Sequence, residues 1–126
     1  MQPPKPTEAE LEILNVLWTR GPSTVREVHE DICRHKTAQY TTVLKTMQIM
    51  AEKNLLARDE RQRAHVYSAT QPREWTQKQI AGDLLQRAFG GSARSLLIGA
   101  LSARKASKDE LKAIRQLLDD YEKENQ

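Results

Sequence analysis

TAQYTTVLKTMQIMAEKNLLARDERQRAHVY, residues 37–67, is the stretch on which the fold turns. On a helical wheel, Met47 and Met50 fall within about 40° of Val43, which defines a buried side. Ala38, Thr41, Lys45, Gln48 and Glu52 lie on the opposite side. The spacing predicts a helix that begins between Thr37 and Tyr40 and stops at Asn54. The apolar period then falls from 3.6 to about 2. Leu56-Ala57-Arg58 and Ala64-His65-Val66-Tyr67 read as two short strands around the polar turn Asp59 to Arg63. That turn has none of the glycine or asparagine a tight hairpin prefers.

Two more helices precede this stretch. Thr7-Glu8-Ala9-Glu10 fits a capping box, in which a threonine hydroxyl and a glutamate carboxylate satisfy the orphan amides of a helix start. Leu11, Leu14, Leu17 and Trp18 follow at helical spacing, and Gly21-Pro22 ends the run. Thr24 with Glu27 repeats the box, and Val25, Val28 and Ile32 form the next stripe. Three helices followed by a β-hairpin make the winged form of the helix-turn-helix. The expected core is Leu14, Leu17, Trp18, Val28, Ile32, Val43, Met47 and Val66. Residues 1–6 are expected to be a disordered lead-in, and residues 7–71 the winged-helix domain.

The C-terminal part is helical and lacks cover. Pro72 opens a helix with Trp75, Ile80, Leu84, Leu85, Ala88 and Phe89, and Gly90-Gly91 closes it. Ser92 caps a helix bearing Ala93, Leu96, Leu97, Ala100 and Leu101. Ser107 to Glu110 is another capping box, which opens a stripe of Leu111, Ile114, Leu117, Leu118 and Tyr121. Three short helices over residues 72–126 cannot hide all these side chains from water among themselves. A second copy of the chain is the economical cover; the alternative is that the helices fold back on the first domain. The expected fold class is therefore mainly α with a small β-hairpin: a winged helix-turn-helix followed by a helical dimerisation domain.

Composition fits this division. The chain has 126 residues with 38% hydrophobic and only 5% aromatic, a modest supply of core that favours association. No apolar run reaches the roughly 18–20 residues that span a bilayer, so no membrane insertion is expected. The opening Met1 to Pro6 has no apolar stretch, and no signal peptide is expected. Cys33 is the only cysteine, which excludes an intramolecular disulfide and any multi-cysteine metal cluster. A cytoplasmic location is expected. Net charge is +3, too little to point to nucleic acid by itself. The distribution is more informative: from Ile32 to Ala51 there are Arg34, His35, Lys36 and Lys45 and no acid.

A recognition helix reads base edges from its N-terminal residues, so Gln39, Tyr40, Thr41, Thr42 and Lys45 are the candidate DNA-reading set. Arg61 and Arg63 sit at or beside the wing tip, where a wing meets phosphate or the minor groove. His29 and Cys33 share a helix side, but His35 lands elsewhere on the wheel, and two ligands do not make a zinc site. Neither a metal nor a cofactor is expected. There is no GxSxG, HExxH or phosphate-binding glycine loop, so enzyme chemistry has no carrier. The residues leave open a second reading, a winged-helix protein–protein adaptor that does not bind DNA.

Glu8 to Trp18, read as Glu-Ala-Glu-Leu-Glu-Ile-Leu-Asn-Val-Leu-Trp, resembles the opening helix of the penicillinase and methicillin-resistance repressors (BlaI/MecI type). The resemblance continues through Thr24 to Val28, Thr41-Thr42-Val43, the Arg63 to Tyr67 wing and the Ser107 to Leu118 helix. It implies a homodimeric transcriptional repressor on a dyad operator of double-stranded DNA. The implied dimer interface comprises Leu96, Leu97, Leu101, Leu111, Ile114, Leu117, Leu118 and Tyr121. It also implies a partner, a membrane-embedded zinc protease sensor that releases the operator by cutting inside the dimerisation region. The sequence has Gln62 where the family's wing usually has a glycine. The family's Asn-Phe scissile pair, aligned through Ser95 and Leu101, falls at Gly99 and Ala100. The C-terminal cysteine cluster of the related copper-responsive branch is absent.

Overall fold

The computed structural model describes residues 5–126. Most of the expected lead-in over residues 1–6 lies outside the described residues. The elements run α1 (Glu8–Arg20), β1 (Ser23–Thr24), α2 (Val25–Cys33), α3 (Tyr40–Glu52), β2 (Leu56–Asp59), β3 (Val66–Ala69), α4 (Arg73–Arg87), α5 (Ala93–Ala103) and α6 (Lys108–Glu124). They divide between two compact units, Met1–Ala81 and Gly82–Gln126.

In the first unit, both capping boxes form. Thr7 accepts from the Glu10 amide at 3.2 Å, and Glu10 accepts from the Thr7 amide at 2.9 Å. Thr24 and Glu27 repeat the exchange at 3.2 and 3.0 Å. Glu10 is 3% exposed, and its second oxygen accepts from Lys53 Nζ at 2.8 Å. Burial pushes its pKa up, but Lys53 and the Thr7 bonds outweigh this and hold the carboxyl below its ordinary value. The pair ties the start of α1 to the end of α3. Asn54 adopts φ 65°, the left-handed conformation that ends a helix and that asparagine tolerates.

Ile13, Leu14 and Leu17 of α1 meet Val28 and Ile32 of α2, Val43, Met47 and Met50 of α3, and Leu55, Leu56 and Tyr67. Several details of the sheet differ from the expectation. Tyr67, not Val66, is the core residue of the second hairpin strand; it is 2% exposed, while Val66 is only partly buried. The strand itself lies two residues later than Ala64–Tyr67, at Val66–Ala69. A third strand also forms: Ser23 and Thr24 pair antiparallel with Tyr67 and Val66, making the sheet order β1-β3-β2. Two residues are too few for an alternating pattern to show. With Asp59 opposite Val66, residues 60–65 form a six-residue loop rather than a tight turn. Here Asp59 Oδ1 accepts the Arg61 amide at 3.0 Å, an Asx-type turn that needs no glycine. Trp18 is partly buried, and its indole N–H donates to the Gln71 carbonyl at 2.9 Å. Arg73 lies over its ring at 5.7 Å.

In the second unit, Gly90 and Gly91 take φ values of 55° and 81°, and the Gly91 amide donates to Leu85 O at 2.8 Å. This left-handed ending closes α4 before Ser92 caps α5 through the Ser95 amide. Ser107 accepts the Glu110 amide at 3.1 Å, but Glu110 makes no return bond, so α6 has a serine cap and not the full box expected. Among residues 82–126 none is buried. Ile98, Leu117, Leu118 and Tyr121 are 49%, 66%, 54% and 65% exposed. Leu97 and Leu101 are just exposed, while Leu96, Leu111 and Ile114 are half-buried. Gly99 and Ala100 lie inside α5, and a Cβ on Gly99 would stand 3.3 Å from the Phe89 ring.

Candidate nucleic-acid interface

The turn into α3 is locked by side chains whose part could not be seen in the spacing. His29 Nε2 lies 2.7 Å from the Ala38 carbonyl. A carbonyl only accepts, so the ring donates from Nε2. Cys33 Sγ lies 3.3 Å from the same nitrogen and donates to the same carbonyl at 3.5 Å. The Tyr40 ring stands edge-on to His29, with centroids 5.6 Å apart. Cys33 is exposed, and its thiol takes part in these contacts. His35 takes no part in this cluster.

Gln39 is the N-cap of α3 and forms no side-chain cap bond, and the first turn has no acid. The opening amides of the helix therefore face outward unoccupied by any side chain, at the positive end of its dipole. Gln39, Tyr40, Thr41, Thr42 and Lys45 are all exposed. Tyr40 joins Leu44 and Gln48 along one wall of a groove of about 700 Å³. Arg63, Ala64, His65 and Tyr67 and, from the start of α2, Thr24, Val25 and Arg26 complete its lining. Thr41, Thr42, Lys45 and Gln39 lie outside that lining, on the neighbouring surface of the helix. Arg26, Leu44, Gln48 and His65 are groove residues that sequence reasoning did not select. Gln48 falls on the outward side of the wheel, so it was within reach; Arg26 comes to the groove only through the packing of α2.

The charges sort into two groups. Arg20 pairs with Glu27, Arg34 with Asp31, Lys36 with Glu12 and Lys53 with Glu10, at 2.8–3.1 Å. Arg58 pairs with Glu60 and reaches the Tyr67 hydroxyl, and both interactions raise its pKa further above its ordinary value. Arg61 is held in a fork by Asp59, with Nε at 3.0 and 3.1 Å from the two oxygens and Nη2 at 2.7 Å. Those hydrogen bonds from Arg61, with its backbone amide, lower the Asp59 pKa to about 2. Among the described residues from Arg20 to Arg63, the cations left without an ion pair are Arg26, Lys45 and Arg63. All three belong to α3, the wing or the helix start beside them. Among the described residues, no group of three His, Cys, Asp or Glu side chains could hold a metal ion, and no helix is long and apolar enough to cross a membrane.

Comparison with known proteins agrees with this arrangement. The solution structure of the DNA-binding domain of the repressor BlaI aligns with 57% of this chain and 88% of its own, with TM-score 0.52 and 22% identity. A variant of Lactococcus lactis ZitR aligns over 98% of this chain and 77% of its own, with TM-score 0.52 and 19% identity. Both likenesses concern the fold. In sequence, the transcriptional regulator BlaI of Mycobacterium tuberculosis is 32% identical over 116 residues, spanning 91% of this chain and 83% of the relative. The penicillinase repressor of Staphylococcus aureus is 20% identical over 115 residues, 91% of each chain. The penicillinase repressor profile matches residues 6–120, from the Thr7 cap through the Tyr67 strand to the α6 stripe. A three-helix unit with a wing, an outward helix whose first turn has no acid and a match along nearly the whole chain lead to one conclusion: the chain belongs to the penicillinase repressor family of transcriptional regulators, which are repressors and not enzymes.

Proposed function

We propose that this chain is a homodimeric repressor whose winged-helix unit docks on one half of a dyad operator. The observation that carries this reading is the N-terminal part of the outward face of α3: Gln39, Tyr40, Thr41, Thr42 and Lys45 are exposed, and the first turn has neither a side-chain cap nor an acid. In the major groove, Thr41 and Lys45 would meet base edges and Gln39 and Thr42 the flanking phosphates. Arg63 would take backbone phosphate from the wing, and Arg61 would join it only when its pair with Asp59 opens. Leu96, Leu97, Leu101, Leu111, Ile114, Leu117, Leu118 and Tyr121 would form the surface between two copies. That part is supported by the absence of any buried residue across 82–126. Two half-site contacts held together raise the effective concentration of the second, so dimerisation is what makes operator binding tight.

Release by proteolysis is the last element of the proposal. Gly99 and Ala100 lie within α5, and a protease needs extended backbone. A helical glycine costs about 1 kcal/mol relative to alanine, which eases local unwinding there. A cut between Ser92 and Arg104 would divide the apolar stripe between fragments, and a membrane-bound metalloprotease sensor is the partner that would make it. The test of the core proposal is a gel shift and footprint with duplex from the intergenic region upstream of the chain's own gene. Two symmetric protected halves are expected. A folded protein that retards no duplex would leave the adaptor reading standing instead.

A further inference from the structure

We infer that Arg26, at the start of α2, is the second phosphate-binding cation of the interface and holds the DNA backbone together with Arg63, with which it lines one groove. The inference rests on the DNA-binding reading above and adds a residue to it. Arg26 and Arg63 line the same groove of about 700 Å³, together with Tyr40, Leu44 and Gln48 of α3. No acid lines it. The neighbouring cations are spoken for: Arg20 by Glu27, Arg34 by Asp31, Arg58 by Glu60 and Arg61 by Asp59. An arginine whose fork already holds a carboxylate in two hydrogen bonds has little left to offer phosphate. Of the wing's arginines, Arg63 alone keeps an unpaired guanidinium among the described residues, so its counterpart must come from another element. Arg26 meets that need: it is exposed, unpaired and fixed on the first turn of a helix whose Thr24–Glu27 box sets the backbone.

Two unpaired cations in one acid-free groove lined by α3 give a backbone phosphate two partners beside that helix. Such contacts fix register and orientation, and they supply affinity that falls with salt. Arg26 therefore acts by position on the backbone and not by reading bases.

The experiment is fluorescence anisotropy of the full chain on a random-sequence duplex over a range of salt concentrations. The variants are Arg26→Ala, Arg26→Lys, Arg63→Ala, the Arg26→Ala/Arg63→Ala pair and Arg34→Ala. Each lost phosphate contact makes the slope of log K against log salt shallower by about 0.9 per bound chain, so the variant loses about threefold less affinity than wild type between about 50 and 200 mM salt. Arg26→Ala and Arg63→Ala are each expected to show that change, their combination to show it twice, and Arg26→Lys and Arg34→Ala to keep the wild-type slope. Circular dichroism of each variant must match wild type. A weaker Arg26→Ala complex with an unchanged slope would mean a structural role and overturn the inference, as would no effect at all. A wild-type chain that binds no duplex would overturn the DNA-binding reading itself, a different outcome from wild type binding with Arg26 silent.

Discussion

Leu117 offers the sharpest test of how the second unit is completed. In the single chain it is 66% exposed, so about two-thirds of its transfer free energy is still available for association. Fully burying a leucine is worth about 1.5–3 kcal/mol, which leaves about 1–2 kcal/mol for this side chain. In a symmetric dimer the residue counts twice, giving about 2–4 kcal/mol, or about 30-fold to 1,000-fold in the dissociation constant. Leu117→Asp removes that contribution and adds a carboxylate that must be desolvated with no partner, several kcal/mol more. The variant is expected to sediment as a monomer at micromolar concentration, with unchanged helix content, and to lose operator binding while α3 is untouched. Leu118 and Tyr121 are exposed on the same helix and cannot compensate for a charge placed beside them. A dimer that survives Leu117→Asp at the same concentration refutes the reasoning. It would place the interface elsewhere and remove the physical basis for release by a cut in α5.

Three further outcomes follow from other parts of the molecule. Lys45→Ala or Thr41→Ala should cost about 1–3 kcal/mol on operator and little on random DNA, whereas Arg63→Ala should weaken both alike; quantitative footprinting distinguishes these, and the opposite pattern would reverse the assignment of α3 and wing. Glu10 has a folded-state pKa below its ordinary 4.5, so its contribution is fully present above that value and is lost as pH falls through the lower folded value. Urea midpoints should drop below about pH 4.5, and Glu10→Gln should flatten that drop while costing about 1–2 kcal/mol at neutral pH, a figure kept low because Lys53 stays a third exposed. Gly99→Ala gains up to about 1 kcal/mol of helix propensity against a tight 3.3 Å approach to the Phe89 ring, so limited proteolysis within α5 should slow; faster cutting would mean that the ring contact wins.

Local rules written in a few adjacent residues were readable without a structure. Thr7 with Glu10 and Thr24 with Glu27 cap their helices because the box closes within one turn, and Gly90-Gly91 ends α4 because left-handed backbone has almost no other occupant. The 3.6 period of Val43, Met47 and Met50 named the buried side of α3, and so the side left exposed. The hairpin was legible as a change of period, but its phase was not. Register is set by pairing with β1, and a two-residue strand carries no pattern, so Tyr67 rather than Val66 turned inward. Charge was legible as a census and not as a circuit. From sequence, Arg61 and Arg63 are equivalent; only the loop backbone, which brings Asp59 onto the Arg61 amide and guanidinium, makes one occupied and leaves the other free. The same holds for Arg26, which sits on a different helix from the candidate DNA-reading set and meets the groove through the packing of α2 against α3. Periodicity, caps and composition determine which elements form and which face each one hides, because those depend on neighbours along the chain. Which charges cancel depends on the conformation the folded backbone takes, even between neighbours such as Asp59 and Arg61, and which residues line one groove depends on contacts between distant segments; the folded structure alone decides both.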